Sequence, residues 1–375
     1  MSMYTYGNDL YTGRKSFNII GRRNVWFGIA GLLIVVSILA FFFKTPNLGI
    51  EFRGGSQFTI TGVAKQETAP ASKAVSDLGK DSAPRVSTVG NDSIRVQTTE
   101  LTDLETQQLR ESLATAYDVP AADVTSSFVG PSWGKDISSK ALRAMIVFMV
   151  LVSLVLTVYF RSWTIAVGAI GALLHDFIIT LGVYWVLGFE VTPATVIGVL
   201  TIMGYSLYDT VVVFDKVREN TATLQNQTTY TYAESANLAI NQTLIRSLNT
   251  SITGLLPVAA VLFIGVGLLG ADTLRDLALV MFVGMILSTV SSIFIAAPLA
   301  VALAERNPEI KAHTKKVLAA RKSKKAARGS SSTSDASDID DDDIDTLAPA
   351  HGVIREAGSH MGQSAQPRRK NRSKR

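Results

Sequence analysis

The chain has 375 residues, of which 47% are hydrophobic and only 18% charged; soluble domains carry about a quarter charged residues, so this composition argues against an ordinary soluble protein and for a membrane one. The net charge of +5 is modest and unevenly placed, which fits the anchoring of span ends better than nucleic-acid binding. There is no cysteine, so disulfides and thiolate chemistry are excluded.

Residues 1–24 are polar, and Arg14, Lys15, Arg22 and Arg23 stand just ahead of the first apolar run. By the positive-inside rule they hold this end in the cytoplasm. The run itself, 25–43, lacks a small-residue cleavage site and reads as an uncleaved first span.

Residues 44–140 look soluble and, after one crossing, lie outside. EFRGGSQFTI reads as a strand with a Gly-Gly bend, and 71–78 as a short helix. Strands at 85–89 and 93–99 are joined by a Gly-Asn-Asp turn. A helix over 101–117, opened by Thr102 or Asp103, and a last strand at 124–129 follow. The order βαββαβ predicts a ferredoxin-like α/β sandwich. No histidine cluster, nucleophile–base pair or phosphate loop occurs there, so a binding or lever domain is expected rather than an enzyme. Neither a metal nor a cofactor is expected.

Five further apolar runs follow, at 141–160, 163–187, 191–214, 248–269 and 277–303. Arg161, Lys216, Arg218 and Arg246 fall in inner links, whereas 188–190 forms a short outer one. The bias predicts six spans with both termini cytoplasmic. Gly168, Gly171, Gly198, Gly204, Gly254, Gly265 and Gly284 lie within spans, and small residues allow close helix approach in lipid. The inner loop carries apolar positions at helical spacing over 232–244, which leaves two readings, an amphipathic interfacial helix or a solvated linker. From 305 to 375 the chain alternates basic (311–328), acidic (335–345) and basic (368–375) blocks. Such blocks predict a disordered charged tail in the cytoplasm, held at anionic lipid or docking on ribosomal RNA or a cytosolic partner.

The position that singles itself out is Asp209, in VTPATVIGVLTIMGYSLYDTVVVFDKVR. A carboxylate inside a span costs roughly 2.5–3.5 kcal/mol on the insertion scale, so it should face protein or water. Burial favours the protonated form of such a group, which lets it load and unload protons near neutral pH. The bland alternative is a carboxylate permanently paired to a cation that holds helices together. Arg246, at the head of the next span, is either its switchable counter-charge or a positive-inside anchor. His175 and Asp176 form a second polar pair; adjacent residues point about 100° apart on a helix, so they need not touch. A relay role is possible for them, because imidazole titrates near neutrality, and helix packing is the alternative. Ser206, Thr250, Ser251 and Thr253 could line a polar path or simply pack helices. Asp215, Lys216, Arg218 and Glu219 read as solvated end charges.

Four segments now carry a resemblance: GIEFRGGS after the first span, GYSLYDTVVVFDKVRE in the fourth, QTLIRSLNTSITGLLP opening the fifth and SSIFIA in the sixth. Over residues 20–305 the chain closely resembles the SecD/SecF family of protein-export membrane proteins. The resemblance implies half of a resistance-nodulation-division (RND) type fold in a bacterial cytoplasmic membrane. It also implies a SecD subunit supplying the second six-span half, and work beside the SecYEG translocon on a translocating preprotein. The proton motive force would be the energy source, and Asp209 the proton-responsive aspartate. Arg246 matches the arginine proposed to pair with Asp209, and Gly54 and Gly55 match the glycine motif ahead of the extracytoplasmic strand. A rival reading is a stand-alone RND-type exporter of lipids or small hydrophobic molecules. A third makes the chain a membrane-insertion scaffold.

Overall fold

The structure is a computed structural model that describes residues 8–79, 84–90, 92–269 and 274–331. Its first long helix, α1 (Arg23–Phe43), is apolar on all sides and spans the membrane. A helical turn, α2 (Ile50–Arg53), leads through Gly54 and Gly55 into β1 (Gly55–Ile60). The stretch EFRGGSQFTI is therefore strand only in its second half. Both glycines have positive φ, 76° and 128°, a region costly for residues with a Cβ. A Cβ on Gly55 would also run into the Thr98 carbonyl. The pair thus turns the chain sharply while letting β1 lie flush against its neighbour.

The domain continues with α3 (Ala69–Asp77), β2 (Arg85–Val89), β3 (Ser93–Thr98), α4 (Asp103–Tyr117) and β4 (Val124–Val129). The sheet order is β2-β3-β1-β4, with every neighbouring pair antiparallel, which is the expected ferredoxin-like arrangement. Alternation does the sorting. Phe58, Ile60, Ile94 and Val96 turn inward onto Val75, Leu109 and Leu113 from the two helices, forming a closed apolar core. Arg95 and Gln97 point to the other face. Thr102 and Glu105 cap α4 reciprocally.

The sheet ends at Val129, and α5 (Pro131–Phe160) starts at once. Residues 131–140 are thus the first turns of the second span's helix, not part of the α/β domain. Then come α6 (Trp163–Leu187), α7 (Pro193–Thr221) and α8 (Tyr232–Ala260). α8 is prolonged by a π-helical stretch, Val261–Val266. The sixth span combines α9 (Arg275–Ser291), a π-helical stretch Ser292–Ala296 and α10 (Ala297–Ala304). These helices supply six spans in all, an RND-type half. The α6 and sixth-span helices meet at Gly168, against Ala296 and Ala300. α7 and α9 meet at Gly198 against Val280, and at Gly284 against Ile202. Most of the remaining apolar surface is on α1, α5 and α8, whose span windows are only 6%, 6% and 11% buried. Such surface suits lipid or a further membrane subunit.

Two further expectations are corrected. Residues 232–244 form neither an interfacial helix nor a linker. They are the first turns of α8, with Tyr232, Ala236, Ala239, Ile240 and Leu244 buried in the main apolar cluster beside Leu10, Ile19 and Ile20. Asn237 and Asn241 accept hydrogen bonds from the backbone N–H groups of Phe17, Ile19 and Ile20 and so hold the N-terminal segment there. The charged tail also begins in order: α11 (Pro308–Ser331) is helical, and His313 Nε2 lies 2.8 Å from the Gln227 carbonyl. The acidic block 335–345 and the basic block 368–375 lie outside the described residues.

Candidate functional site

Asp209 sits on α7, three residues after Ser206, so both project from one face of the helix. Ser206 and Asp209 are 0% and 2% exposed. From α8, Ser251 donates a hydrogen bond to Asp209 Oδ2 at 3.0 Å. From the other side, Ser206 donates to Oδ2 of Asp176 on α6 at 3.0 Å. His175 Nδ1 lies 3.2 Å from Asp176 Oδ1, so these adjacent residues do touch. Buried carboxylates left without donors are costly, and here each of the two has a serine. The result is a polar stripe, His175–Asp176–Ser206 and then Asp209–Ser251, crossing α6, α7 and α8 inside a largely apolar bundle.

Two atoms in this neighbourhood remain unpartnered. Among the described residues, His175 Nε2 and Ser247 Oγ are buried with no hydrogen-bond partner. Ser247 stands one turn before Ser251 on α8, and in the sequence one serine among many carries no signal. Of the other hydroxyls on this helix, Thr250 and Thr253 bond to carbonyls of their own backbone, those of Arg246 and Asn249.

Arg246 does not join the stripe. It is exposed, and among the described residues it forms no ion pair with Asp209. The expected pairing of these two is thus not made in this conformation, and Ser251 holds the place of donor to the carboxylate. Lys216 and Glu219 pair with each other at the exposed end of α7, as end charges should. Tyr208, just before Asp209, is 54% exposed, and so are Ile252 at 55% and Leu256 at 63% on α8. The carboxylate therefore lies immediately behind an uncovered apolar surface.

Gly54 and Gly55 are remote from this stripe and act in the fold of the α/β domain. A Cβ on Gly134, in the first turns of α5, would meet the Phe52 carbonyl oxygen at 2.8 Å and the Gly54 nitrogen at 3.2 Å. The glycine turn thus seats directly against the helix that enters the second span. The SSIFIA motif covers the end of α9 and the π-helical stretch of the sixth span; Ser292 in that stretch and Ser291 just before it are 0% exposed, and Ser288 on α9 is 1% exposed. π-Helical turns of this kind loosen the regular hydrogen-bond ladder and recur at functional positions. Among the described residues no cluster of three metal-ligating side chains occurs.

Comparison with known proteins bears on the family and the fold. The family described as "Protein export membrane protein SecD/SecF, C-terminal" matches residues 109–306, and the "SecD/SecF GG Motif" matches residues 39–61. The chain is 44% identical to a protein translocase subunit SecF from Streptomyces coelicolor over 353 residues, 92% of each chain. It is 43% identical to that of Mycobacterium tuberculosis over 85% of this chain and 74% of the relative. The crystal structure of SecDF, a translocon-associated membrane protein from Thermus thermophilus, superposes with a TM-score of 0.69 at 33% identity. That match covers 78% of this chain and 39% of the longer SecDF chain. These relatives are named as transport components, and none of the names denotes an enzyme. With its six spans, its antiparallel domain and a match over nearly its whole length, this chain belongs to the SecD/SecF family of protein-export membrane proteins.

Proposed function

We propose that this chain is the SecF-type half of a two-subunit assembly that uses the proton motive force to assist late steps of preprotein movement across the cytoplasmic membrane. A SecD-type subunit supplies the other six spans, and the pair works beside the SecYEG translocon. The α/β domain faces outward, where it meets emerging polypeptide, and both termini are cytoplasmic. The uncovered spans contact the partner and membrane lipid. The basic helix at the tail lies against anionic lipid or a ribosome.

The observation that carries this reading is the Asp209–Ser251 contact buried behind the uncovered face of α7 and α8. A carboxylate with one serine donor and, among the described residues, no ion pair is suited to accept a proton, whereas a permanently ion-paired one is not. The fused relative supports the partner: the matched region is 39% of its length, which leaves room for a second half. In the mechanism, arrival of a proton at Asp209 removes a negative charge from between α7 and α8. It weakens the reason for Ser251 to donate there and lets the two helices repack. Asp176 and Ser206, one turn away, offer the next acceptor along the stripe. Arg246, exposed and unpaired with Asp209, is free to approach when the carboxylate is charged. Moving one charge through a potential of 100 mV is worth about 2.3 kcal/mol, enough to bias such a two-state element.

The test is export by the chain reconstituted with its SecD-type partner in vesicles. Asp209→Asn is isosteric and cannot change charge. It is expected to abolish stimulation by the proton motive force while leaving the complex assembled. Full stimulation in that variant refutes the proposal.

A further inference from the structure

A second set of contacts links the α/β domain to the helix that bears Asp209. The link between α6 and α7 runs through Gly188, Phe189, Glu190 and Val191 to Thr192, the N-cap of α7. The segment after α1 pairs with it as a short parallel bridge, Leu48 with Val191. Val191 N–H donates to the Asn47 carbonyl at 2.7 Å, and Gly49 N–H donates to the Val191 carbonyl at 2.9 Å. Asn47 Nδ2 donates to the Gly188 carbonyl at 3.1 Å.

The sheet then grips the same link by its one carboxylate. Arg95 Nη1 lies 3.1 Å from Glu190 Oε2, and Gln97 Nε2 donates to Glu190 Oε1 at 2.5 Å. Arg95 and Gln97 are two apart on β3, so they share the face opposite to Ile94 and Val96. Both oxygens of one carboxylate are thus held by a central strand. Their side chains are only 21% and 15% exposed for Arg95 and Glu190, so the pair is shielded from the screening that weakens surface ion pairs. Among the described residues it is the only ion pair that joins the α/β domain to the links between spans. Other charges nearby are Glu51, Arg85 and Asp276. Among the described residues, Glu51 Oε2 and Arg95 Nε are buried without a hydrogen-bond partner, so the arginine keeps a spare donor and the cluster a spare acceptor.

Thr195 Oγ1 donates to the Glu190 carbonyl at 3.3 Å, and Thr192 and Thr195 cap the helix reciprocally. The gripped link is therefore continuous with α7, whose axis carries any displacement over about 24 Å from Pro193 to Asp209 at 1.5 Å per residue. We infer that Arg95, Gln97 and Glu190 are positioning residues of the coupling, a clamp through which β3 follows the movement of α7. The inference rests on the proposed role of Asp209 for what moves α7. The clamp itself is a matter of geometry.

The experiment uses the full chain with its SecD-type partner in vesicles. Because the chain has no cysteine, Phe43→Cys and Thr115→Cys accept a pair of spin labels, one at the end of α1 and one on the domain's α4. The distance distribution and force-stimulated export are read together. Glu190→Gln and Arg95→Gln should each raise the population of displaced domains roughly tenfold, as loss of one partner of a partly buried charge pair does, and lower export in step. The exchanged pair, Glu190→Arg with Arg95→Glu, should restore both. An unchanged distribution in the single variants overturns the clamp, as does a change that the exchange fails to reverse, or an export loss without any change in distance. Asp209→Asn in the same vesicles separates the two ideas. If it keeps force-stimulated export, the proton role fails and the clamp distances still stand or fall on their own. If it loses stimulation while Glu190→Gln changes nothing, only the clamp fails.

Discussion

Ser251 Oγ and Asp209 Oδ2 meet at 3.0 Å between two membrane helices, with the aspartate 2% and the serine 7% exposed. A buried carboxylate deprived of its donor loses about 1–3 kcal/mol, more when it is charged. Ser251→Ala should therefore favour the uncharged aspartate and weaken the response of export to the proton motive force, whereas Ser251→Thr should keep most of it. Export measured across a series of imposed potentials checks this. Equal response curves for all three chains would contradict the assignment of Ser251 as the donor that matters.

The Asp176–Ser206 contact makes a parallel prediction. Ser206→Ala leaves Asp176 with His175 alone and is expected to slow force-stimulated export several-fold, with an effect that is not additive to that of Ser251→Ala because both serve one buried stripe. A double variant whose losses simply multiply would show that the two contacts act separately.

The glycine contacts predict packing failures that are independent of proton chemistry. A Cβ on Gly168 would stand 2.8 Å from the Ala300 Cβ and 3.0 Å from the Ala296 carbonyl, with helix backbone on one side that cannot yield. Gly168→Val should destabilise the bundle by about 1–3 kcal/mol, the usual range for overpacking, and lower its thermal midpoint in detergent. Gly204→Ala, with nothing within 4 Å of its Cβ position beyond its own helix turn among the described residues, should leave the midpoint where it is.

Glu51 gives the pH prediction. Burial, the largest cause, pushes its carboxyl up from 4.5, and the charge of Glu190 adds to this; a backbone hydrogen bond and Arg95 act in the opposite sense. The folded protein therefore binds this proton more tightly than the unfolded chain. Its stability should fall as pH rises above 4.5 and through the raised value. Glu51→Gln should remove that share of the decline and leave the protein more stable than the parent at neutral pH. Thermal midpoints of both across mildly acidic to neutral buffers decide it, and an identical pH slope in parent and variant would contradict the burial argument.

Much of this structure is legible in the sequence, and the reasons are local. Six apolar runs of span length leave little choice of architecture, because unpaired backbone cannot sit in lipid. The alternation in Ser-Ile-Arg-Val-Gln-Thr at 93–98 announces a strand with one face in a core. Asp209 stands out because a lone acid in a span is expensive. What the sequence does not disclose is which neighbour each polar group meets. Ser251 is chosen over Thr253 by a rotation of α8 of about 200°, at 100° per residue, which composition does not encode. Arg246 forms no ion pair with Asp209 because its side chain stays exposed, although the two are near enough for their charges to interact. The clamp at Glu190 was hidden for a different reason. Its partners, Arg95 and Gln97, lie some ninety residues away, and only the register of β3 brings them to that carboxylate.

The central claim is that Asp209 changes its protonation when the membrane is energised. Infrared difference spectroscopy of the reconstituted pair measures this directly, by comparing vesicles before and after a proton gradient is imposed. The account predicts a protonated-carboxyl band that appears with the gradient and is missing in Asp209→Asn. A spectrum in which that band never changes, or changes equally in the variant, would contradict it.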